Sequence, residues 1–251
     1  MPSPVKSLKW YRQLATGKGR QESGAFLVEG SRAISQIIAG HPNEIQEILS
    51  VDEPPANWRK YPVRRITESQ CDYISSTRTP QGLLAVVRLP KEVYNDRLPD
   101  ETGEQVLLLE DIQDPGNAGT LIRTAAAFDF SGIIMSGKCA DPLSPKCVQA
   151  TAGAVLSLWI RRTVDYLELA ESMKDRNYTI VAADIEGKDG PAILKNQEKL
   201  LLALGNEAAG LSKNLLGMAE YRLRIPTARD KAESLNVAAC GAICMYLSSN
   251  S

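Results

Sequence analysis

The side chains of this sequence that could do chemistry together are confined to three stretches of its second half. The first, Glu110-Asp111-Ile112-Gln113-Asp114-Pro115-Gly116-Asn117-Ala118-Gly119-Thr120-Leu121-Ile122-Arg123-Thr124, sets a carboxamide and a guanidinium about two helical turns apart. The second, Gly205-Asn206-Glu207-Ala208-Ala209-Gly210-Leu211-Ser212, flanks one carboxylate with two glycines. The third opens Ile225-Pro226-Thr227 and closes Glu233-Ser234-Leu235-Asn236-Val237. A guanidinium stays charged to a pH above about 12, so it can hold a phosphate or steady a developing oxyanion but is a poor proton acceptor. Glycines leave backbone amides and carbonyls free to face a small ligand. Taken singly, each stretch also fits an ordinary turn. Asn117 could cap the helix that carries Arg123, the Glu207 stretch could be a plain glycine-rich loop, and Ser234 could cap a helix with Asn236 in its first turn.

Other chemistries find little to work with. The lone histidine, His41, stands before Pro42 in a loop, which gives no basis for a Ser-His-Asp triad or a multi-histidine metal site. Cys240 and Cys244 are one turn apart in an apolar helix, a spacing that marks core packing more often than a metal. Acidic residues form no clustered pattern, so no metal is expected. No GxGxxG follows a strand, which argues against a nicotinamide-binding enzyme.

The three stretches need strands and helices to hold them. In the first part, Phe26–Glu29, Ile45–Val51, Val63–Ile66 and Leu83–Leu89 read as strands, and Ser31–Ala39 and Thr67–Ser76 as helices, the latter capped by Thr67. The segment Pro90–Gly103 has neither period and holds the expected boundary, giving domains 1–95 and 104–251. Beyond it, signals alternate through Val106–Leu109, the helix of Leu121, Ile122, Ala125 and Phe128, Gly132–Met135, Lys146–Leu156, Leu158–Ile160, Val164–Arg176, Thr179–Ala183, Leu200–Leu204, Tyr221–Ile225 and Ser234–Leu247. Such alternation predicts a parallel sheet covered by helices on both faces, with the ligand site in loops at the strands' carboxyl ends.

The 251 residues suffice for one large domain or two modest ones. Basic and acidic residues number 29 and 30, which excludes a strongly basic nucleic-acid coat, and no apolar run could span a bilayer. The balance is uneven. Residues 1–99 carry 14 basic and 10 acidic side chains, so this part is the better candidate for a polyanion. Lys6, Lys9, Arg12, Lys18 and Arg20 precede the first acidic residue, with Trp10 and Tyr11 among them. That mixture suits phosphate pairing and base stacking, and equally a solvated amphipathic helix. Five cysteines without a CxxC pair, and an N-terminus without a secretory pattern, fit a reducing cytoplasm.

Together and in this order, the three stretches resemble the SpoU/TrmH family of RNA ribose 2′-O-methyltransferases, part of the SPOUT superfamily. The family's Pro-Gly-Asn-x-Gly run ending in Arg-Thr is Pro115 to Thr124, its Gly-x-Glu-x-x-Gly-Leu is Gly205 to Leu211, and its Ile-Pro with Ser-Leu-Asn-Val is Ile225-Pro226 with Ser234 to Val237. Asp141-Pro142-Leu143-Ser144-Pro145-Lys146 looks like the family's linking segment, and Gly24 to Gly30 is similar to the start of its substrate-binding domain. Two places depart from the pattern. Thr227 to Glu233 is charged and glycine-free, and Gln149 to Gly153 stands where relatives often have an arginine.

The resemblance implies a small N-terminal α/β substrate-binding domain followed by a parallel-sheet SPOUT domain with a deep trefoil knot. It implies S-adenosyl-L-methionine as cofactor, lined by Leu204, Gly205, Asn206, Gly210, Ile225, Ser234, Leu235 and Asn236, and no metal. It also implies methyl transfer to a ribose 2′-hydroxyl and gives the arginine at position 123 a part in activating that hydroxyl, whereas the permanent charge of a guanidinium puts Arg123 on the adjacent phosphate and the nascent alkoxide instead. Asn117 would orient Arg123 or the ribose, Glu207 would anchor Arg123 or its partner, and Ser234 and Asn236 would shape the pocket and contact the acceptor. RNA, ribosomal rather than transfer, is the implied partner, along with a second copy in a homodimer and no membrane. Two alternatives stand beside it: a non-catalytic RNA-binding or ribosome-assembly protein that keeps the fold, and a base-methylating enzyme of the superfamily.

Overall fold

The computed structural model describes residues 6–228, 231 and 234–249. They divide into two compact units, one reaching to Lys91 and taking in Asp141–Ser157, the other formed by Glu92–Ala140 and the chain from Leu158 onward. The sequence assigns Asp141–Ser157 to the second part, whereas its helix packs against the first strand of the first unit.

The first unit opens with two short helices, α1 (Leu8–Gln13) and α2 (Gly17–Ser23), capped by the Ser7 and Thr16 hydroxyls. There follow β1 (Ala25–Glu29), α3 (Ser31–Gly40), β2 (Ile45–Ser50), β3 (Val63–Arg65), α4 (Glu68–Ile74) and β4 (Leu83–Arg88). The strands lie in the order β1-β4-β2-β3, with β4 antiparallel to both neighbours. Thr67 caps α4 as the sequence predicts, in a full capping box with Gln70. Tyr11 and Leu14 join Leu27, Leu49, Ile74 and Val86 in the core.

Burial changes the reading of the basic N-terminal stretch. Tyr11 has no exposed surface; its hydroxyl donates to Glu47 at 2.7 Å and accepts from Arg64 at 3.1 Å, so it is not available to stack on a base. Burial, and then the bond to Glu47, push its phenol up to about 12. Arg20 is buried as well, donating to the Leu14 and Ala15 carbonyls and pairing with Asp141 at 2.5 Å. Lys9, Arg12 and Lys18 remain exposed, and Lys6 lies 4.0 Å over the Trp10 ring.

The second unit is a six-stranded parallel sheet. Its strands are β5 (Gln105–Leu109), β6 (Gly132–Ser136), β7 (Trp159–Thr163), β8 (Thr179–Ala183), β9 (Leu200–Leu204) and β10 (Tyr221–Leu223), in the order β10-β8-β9-β5-β6-β7. Its helices are α5 (Pro115–Ala127), α7 (Tyr166–Asp175), α8 (Lys213–Met218) and α9 (Val237–Ser249), while α6 (Pro145–Thr151) lies in the segment given to the first unit. One sheet face buries Val106, Leu108, Ile180 and Leu201 with Leu169 and Met173 of α7 and Leu215 of α8. Both sheet faces are apolar, as β9 shows by burying all five of its residues. The aperiodic stretch from Arg97 is pinned to this unit by long side chains: Arg161 donates to Arg97 O, Arg176 to Pro99 O, Trp159 to Thr102 O and Tyr178 to Gly103 O.

Candidate active site

In a parallel sheet, the loops at the carboxyl ends of the strands form the natural binding surface. Strands β5 and β9 are neighbours in register, Leu109 against Leu204, so the loops that leave them emerge side by side. Asp114 caps α5 by accepting from the Asn117 N–H at 2.8 Å, with Pro115 in the first turn. The sequence offers Asn117 as that cap; the structure gives the position to Asp114, because a proline without an N–H fits the first helical residue. Asn117 is thereby freed one turn inward.

Its carboxamide links the two other loops. Asn117 Nδ2 donates to Glu207 Oε1 at 2.6 Å, and Asn117 Oδ1 accepts from Asn236 Nδ2 at 3.2 Å. Asn236 Oδ1 accepts in turn from the N–H groups of Ala238 and Ala239 at 2.9 and 3.3 Å. Asn236 is therefore the cap of α9, a place the sequence reading gives to Ser234; Ser234 lies before the helix and is exposed. Glu207 and Asn236 are exposed and Asn117 is half-buried, so the chain Glu207–Asn117–Asn236 faces solvent along one side.

The second loop has a fixed shape. Asn206 and Gly210 pair their backbones in both directions, at 3.1 and 2.9 Å, and Asn206 Oδ1 accepts from the Ala208 and Ala209 N–H groups. Gly210 sits at φ +68°, and a Cβ on Gly205 would come 2.4 Å from the Gly210 carbonyl carbon, so both positions need glycine. Leu204 is buried beneath, while Ile225 is half-buried and Leu235 is 37% exposed on the segment between β10 and α9.

Arg123 is exposed on α5. Six residues beyond Asn117, it leaves the helix about 120° around the axis from it. Among the described residues, no hydrogen bond or ion pair joins it to Asn117, Glu207 or Asn236. Arg229, Asp230, Ala232 and Glu233, in the atypical charged loop, lie outside the described residues. No group of three His, Cys, Asp or Glu able to hold a metal occurs among the described residues, and none of their helices is long and apolar enough to cross a membrane.

Sequence reasoning missed one cluster beside this site. Glu110, directly after β5, is 3% exposed and accepts from the Tyr166 hydroxyl at 2.5 Å and the Ser212 N–H at 2.6 Å. Burial, and then the bond to Glu110, push the Tyr166 phenol above its usual range. A carboxylate at a strand end has no local pattern that announces such partners.

Residues 104–246 match the SpoU rRNA Methylase family, and residues 5–85 match the MRM3-like substrate binding domain. The chain belongs to the SpoU rRNA methylase family. The RlmP 23S rRNA (guanosine(2553)-2′-O)-methyltransferase of Bacillus subtilis is 28% identical over 245 residues, covering 96% of this chain and 95% of that protein. Among solved structures, the SpoU methyltransferase AviRb of Streptomyces viridochromogenes in complex with AdoMet superposes with a TM-score of 0.82 at 27% identity, covering 97% of this chain and 96% of that one. The AdoMet-bound rRNA methyltransferase of Sinorhizobium meliloti gives 0.81 at 28% identity, covering 100% and 95%. These matches agree with the family and the α/β parallel-sheet fold read from the three motifs.

Proposed function

We propose that this chain transfers a methyl group from S-adenosyl-L-methionine to a ribose 2′-hydroxyl of ribosomal RNA. The observation that carries this reading is the Glu207–Asn117–Asn236 chain, which joins the three family motifs, two of which leave the adjacent strands β5 and β9. The loop geometry fits the cofactor: the Gly205–Gly210 turn is tight and held in shape by its own hydrogen bonds, and Ile225 and Leu235 add apolar surface for a purine. Leu204, Gly205, Asn206, Gly210, Ile225, Ser234, Leu235 and Asn236 would hold it.

The cofactor supplies an electrophilic methyl whose carbon–sulfur bond breaks as the new carbon–oxygen bond forms. The protein must then align the ribose hydroxyl, let its proton pass to solvent and steady the charge left on oxygen. Arg123 suits the last task because its guanidinium is permanently charged and exposed. Asn117 offers a carboxamide held from both sides, and Glu207 retains an oxygen beyond the one bonded to Asn117, able to orient the ribose or a bound cation.

The first unit, with its match to a substrate-binding domain, would meet the RNA through exposed basic residues such as Lys9 and Arg12. A homodimer is part of the proposal: α9 exposes Ile243 at 38% and Tyr246 at 56% beside Phe128, the residue after α5, an apolar face suited to a second copy. A trefoil knot in the second unit is part of the proposal and rests on the family match alone. Five cysteines without a CxxC pair and a ribosomal substrate favour the cytoplasm.

The test is incubation with a labelled methyl donor and separate pools of ribosomal and transfer RNA, followed by nucleoside analysis. The reading requires label in ribosomal RNA as a 2′-O-methylnucleoside. Label on a base, or none in either pool, would refute it.

A further inference from the structure

The buried carboxylate at the end of β5 has no part in the reaction as proposed, yet the residue that carries it and the next one anchor the Gly205–Leu211 loop, whose exit is held by the carboxylate itself. The loop's entry is held where the Glu110 N–H donates to Leu204 O at 2.9 Å. Its exit is held where the Ser212 N–H donates to Glu110 Oε2 at 2.6 Å, at the cap of α8. Its middle is held where Asn206 Nδ2 donates to the carbonyl of Asp111, the next residue, at 2.9 Å. All three tethers thus end on one dipeptide. That dipeptide is itself fixed: Asp111, at φ +57°, donates its N–H to Ser136 Oγ at 2.9 Å and accepts from the same hydroxyl at 2.6 Å.

The remaining oxygen of Glu110 is engaged from α7. Tyr166, the first residue of α7, donates its hydroxyl to Oε1 at 2.5 Å. A carboxylate buried to 3% exposure and given two donors has one orientation in which both are satisfied, and hydrogen bonds to a charged acceptor are about twice as strong as neutral ones. Its orientation passes directly to Ser212, and so to the loop.

We infer that Glu110, oriented by Tyr166, is a positioning residue that sets the shape of the Gly205–Leu211 loop for the methyl donor while touching neither donor nor RNA. The inference rests on the reading of that loop as the donor's cradle. Loss of the carboxylate frees the Ser212 N–H and the loop's exit while leaving the sheet pairing of β5 and β9 in place.

The full chain and its Glu110→Ala, Glu110→Gln and Tyr166→Phe variants would be compared by hydrogen exchange without ligand, and by equilibrium binding of S-adenosyl-L-methionine and of RNA. Glu110→Ala should speed exchange at Ser212 and the loop amides by about tenfold or more and weaken donor binding about tenfold, with RNA affinity within about twofold. Glu110→Gln, which keeps one acceptor oxygen, should fall between wild type and alanine, and Tyr166→Phe should weaken the donor by about two- to fivefold. If Glu110→Ala does not fold, the other two variants decide by the same readouts. Unchanged loop exchange and donor affinity would overturn the inference, as would a parallel loss of donor and RNA affinity with faster exchange throughout the sheet. A wild-type chain that binds no donor would refute the functional reading instead, and the exchange data would still decide whether Glu110 anchors the loop.

Discussion

Glu110 and Glu207 are carboxylates at the ends of neighbouring strands, and they are built for opposite tasks. Glu110 is 3% exposed, with both oxygens occupied, by the Tyr166 hydroxyl and the Ser212 N–H. Glu207 is exposed, bonded to the Asn117 carboxamide at 2.6 Å on one oxygen. A buried and saturated acceptor gains its value from geometry and becomes costly when a partner is lost. An exposed acceptor with spare capacity costs little to keep and can take a substrate group. On the proposed function, burial rather than residue type would separate scaffold from chemistry at the carboxyl ends of β5 and β9.

The comparison extends to one buried and one exposed arginine, where the largest effects are expected. Arg20, 2% exposed and paired with Asp141, is scaffold by this criterion. Arg20→Ala should destabilise the first unit by about 3–5 kcal/mol in denaturant melts, because it removes the guanidinium that pairs with a partly buried carboxylate and leaves a void where a fully buried side chain stood. A loss under about 1 kcal/mol would break the rule. Arg123 is the reverse case. Arg123→Ala should lower kcat about 10²- to 10³-fold with the melting temperature unchanged, and Arg123→Lys should recover little, since a point charge cannot reproduce a planar fork. Near-full turnover in Arg123→Lys would remove the arginine from the reaction.

Smaller effects sharpen the contrast. Glu207→Gln keeps an acceptor for Asn117 but loses the charge, and should cost about tenfold in kcat without a change in stability. A shifted melting temperature with normal turnover would make Glu207 a structural residue like Glu110. The smallest change lies far from the site: Thr67→Ala removes one side of the α4 capping box and should cost about 1 kcal/mol of stability with methyl transfer untouched.

The sequence is legible where one local signal dominates. Thr179–Ala183 and Leu200–Leu204 are read to the residue because a short run of apolar residues buried on both faces has sharp ends. Helix α8 escapes because six residues, Lys213–Met218, are too few to show a period. Caps are misplaced where two capping residues compete: Asp114 wins over Asn117 through Pro115, a signal present in the sequence, and Asn236 wins over Ser234 because the helix begins at Val237. The motifs locate Asn117, Glu207 and Asn236, and the structure joins those three, while Arg123 stands apart from them. Glu110, Tyr166 and the Arg20–Asp141 pair are invisible locally, since their partners are 56 to 121 positions away. The strap from Arg97 to Gly103 reads as a featureless linker for the same reason, its order coming from Arg161, Arg176, Trp159 and Tyr178.

The most direct test is a crystal structure of the chain grown with S-adenosyl-L-methionine. Donor density against the Gly205–Gly210 turn and the Ile225 and Leu235 segments, with its methyl facing the Asn117–Glu207–Asn236 chain, is the expected result. Donor bound elsewhere on the second unit, with that polar chain open to solvent, would contradict the account.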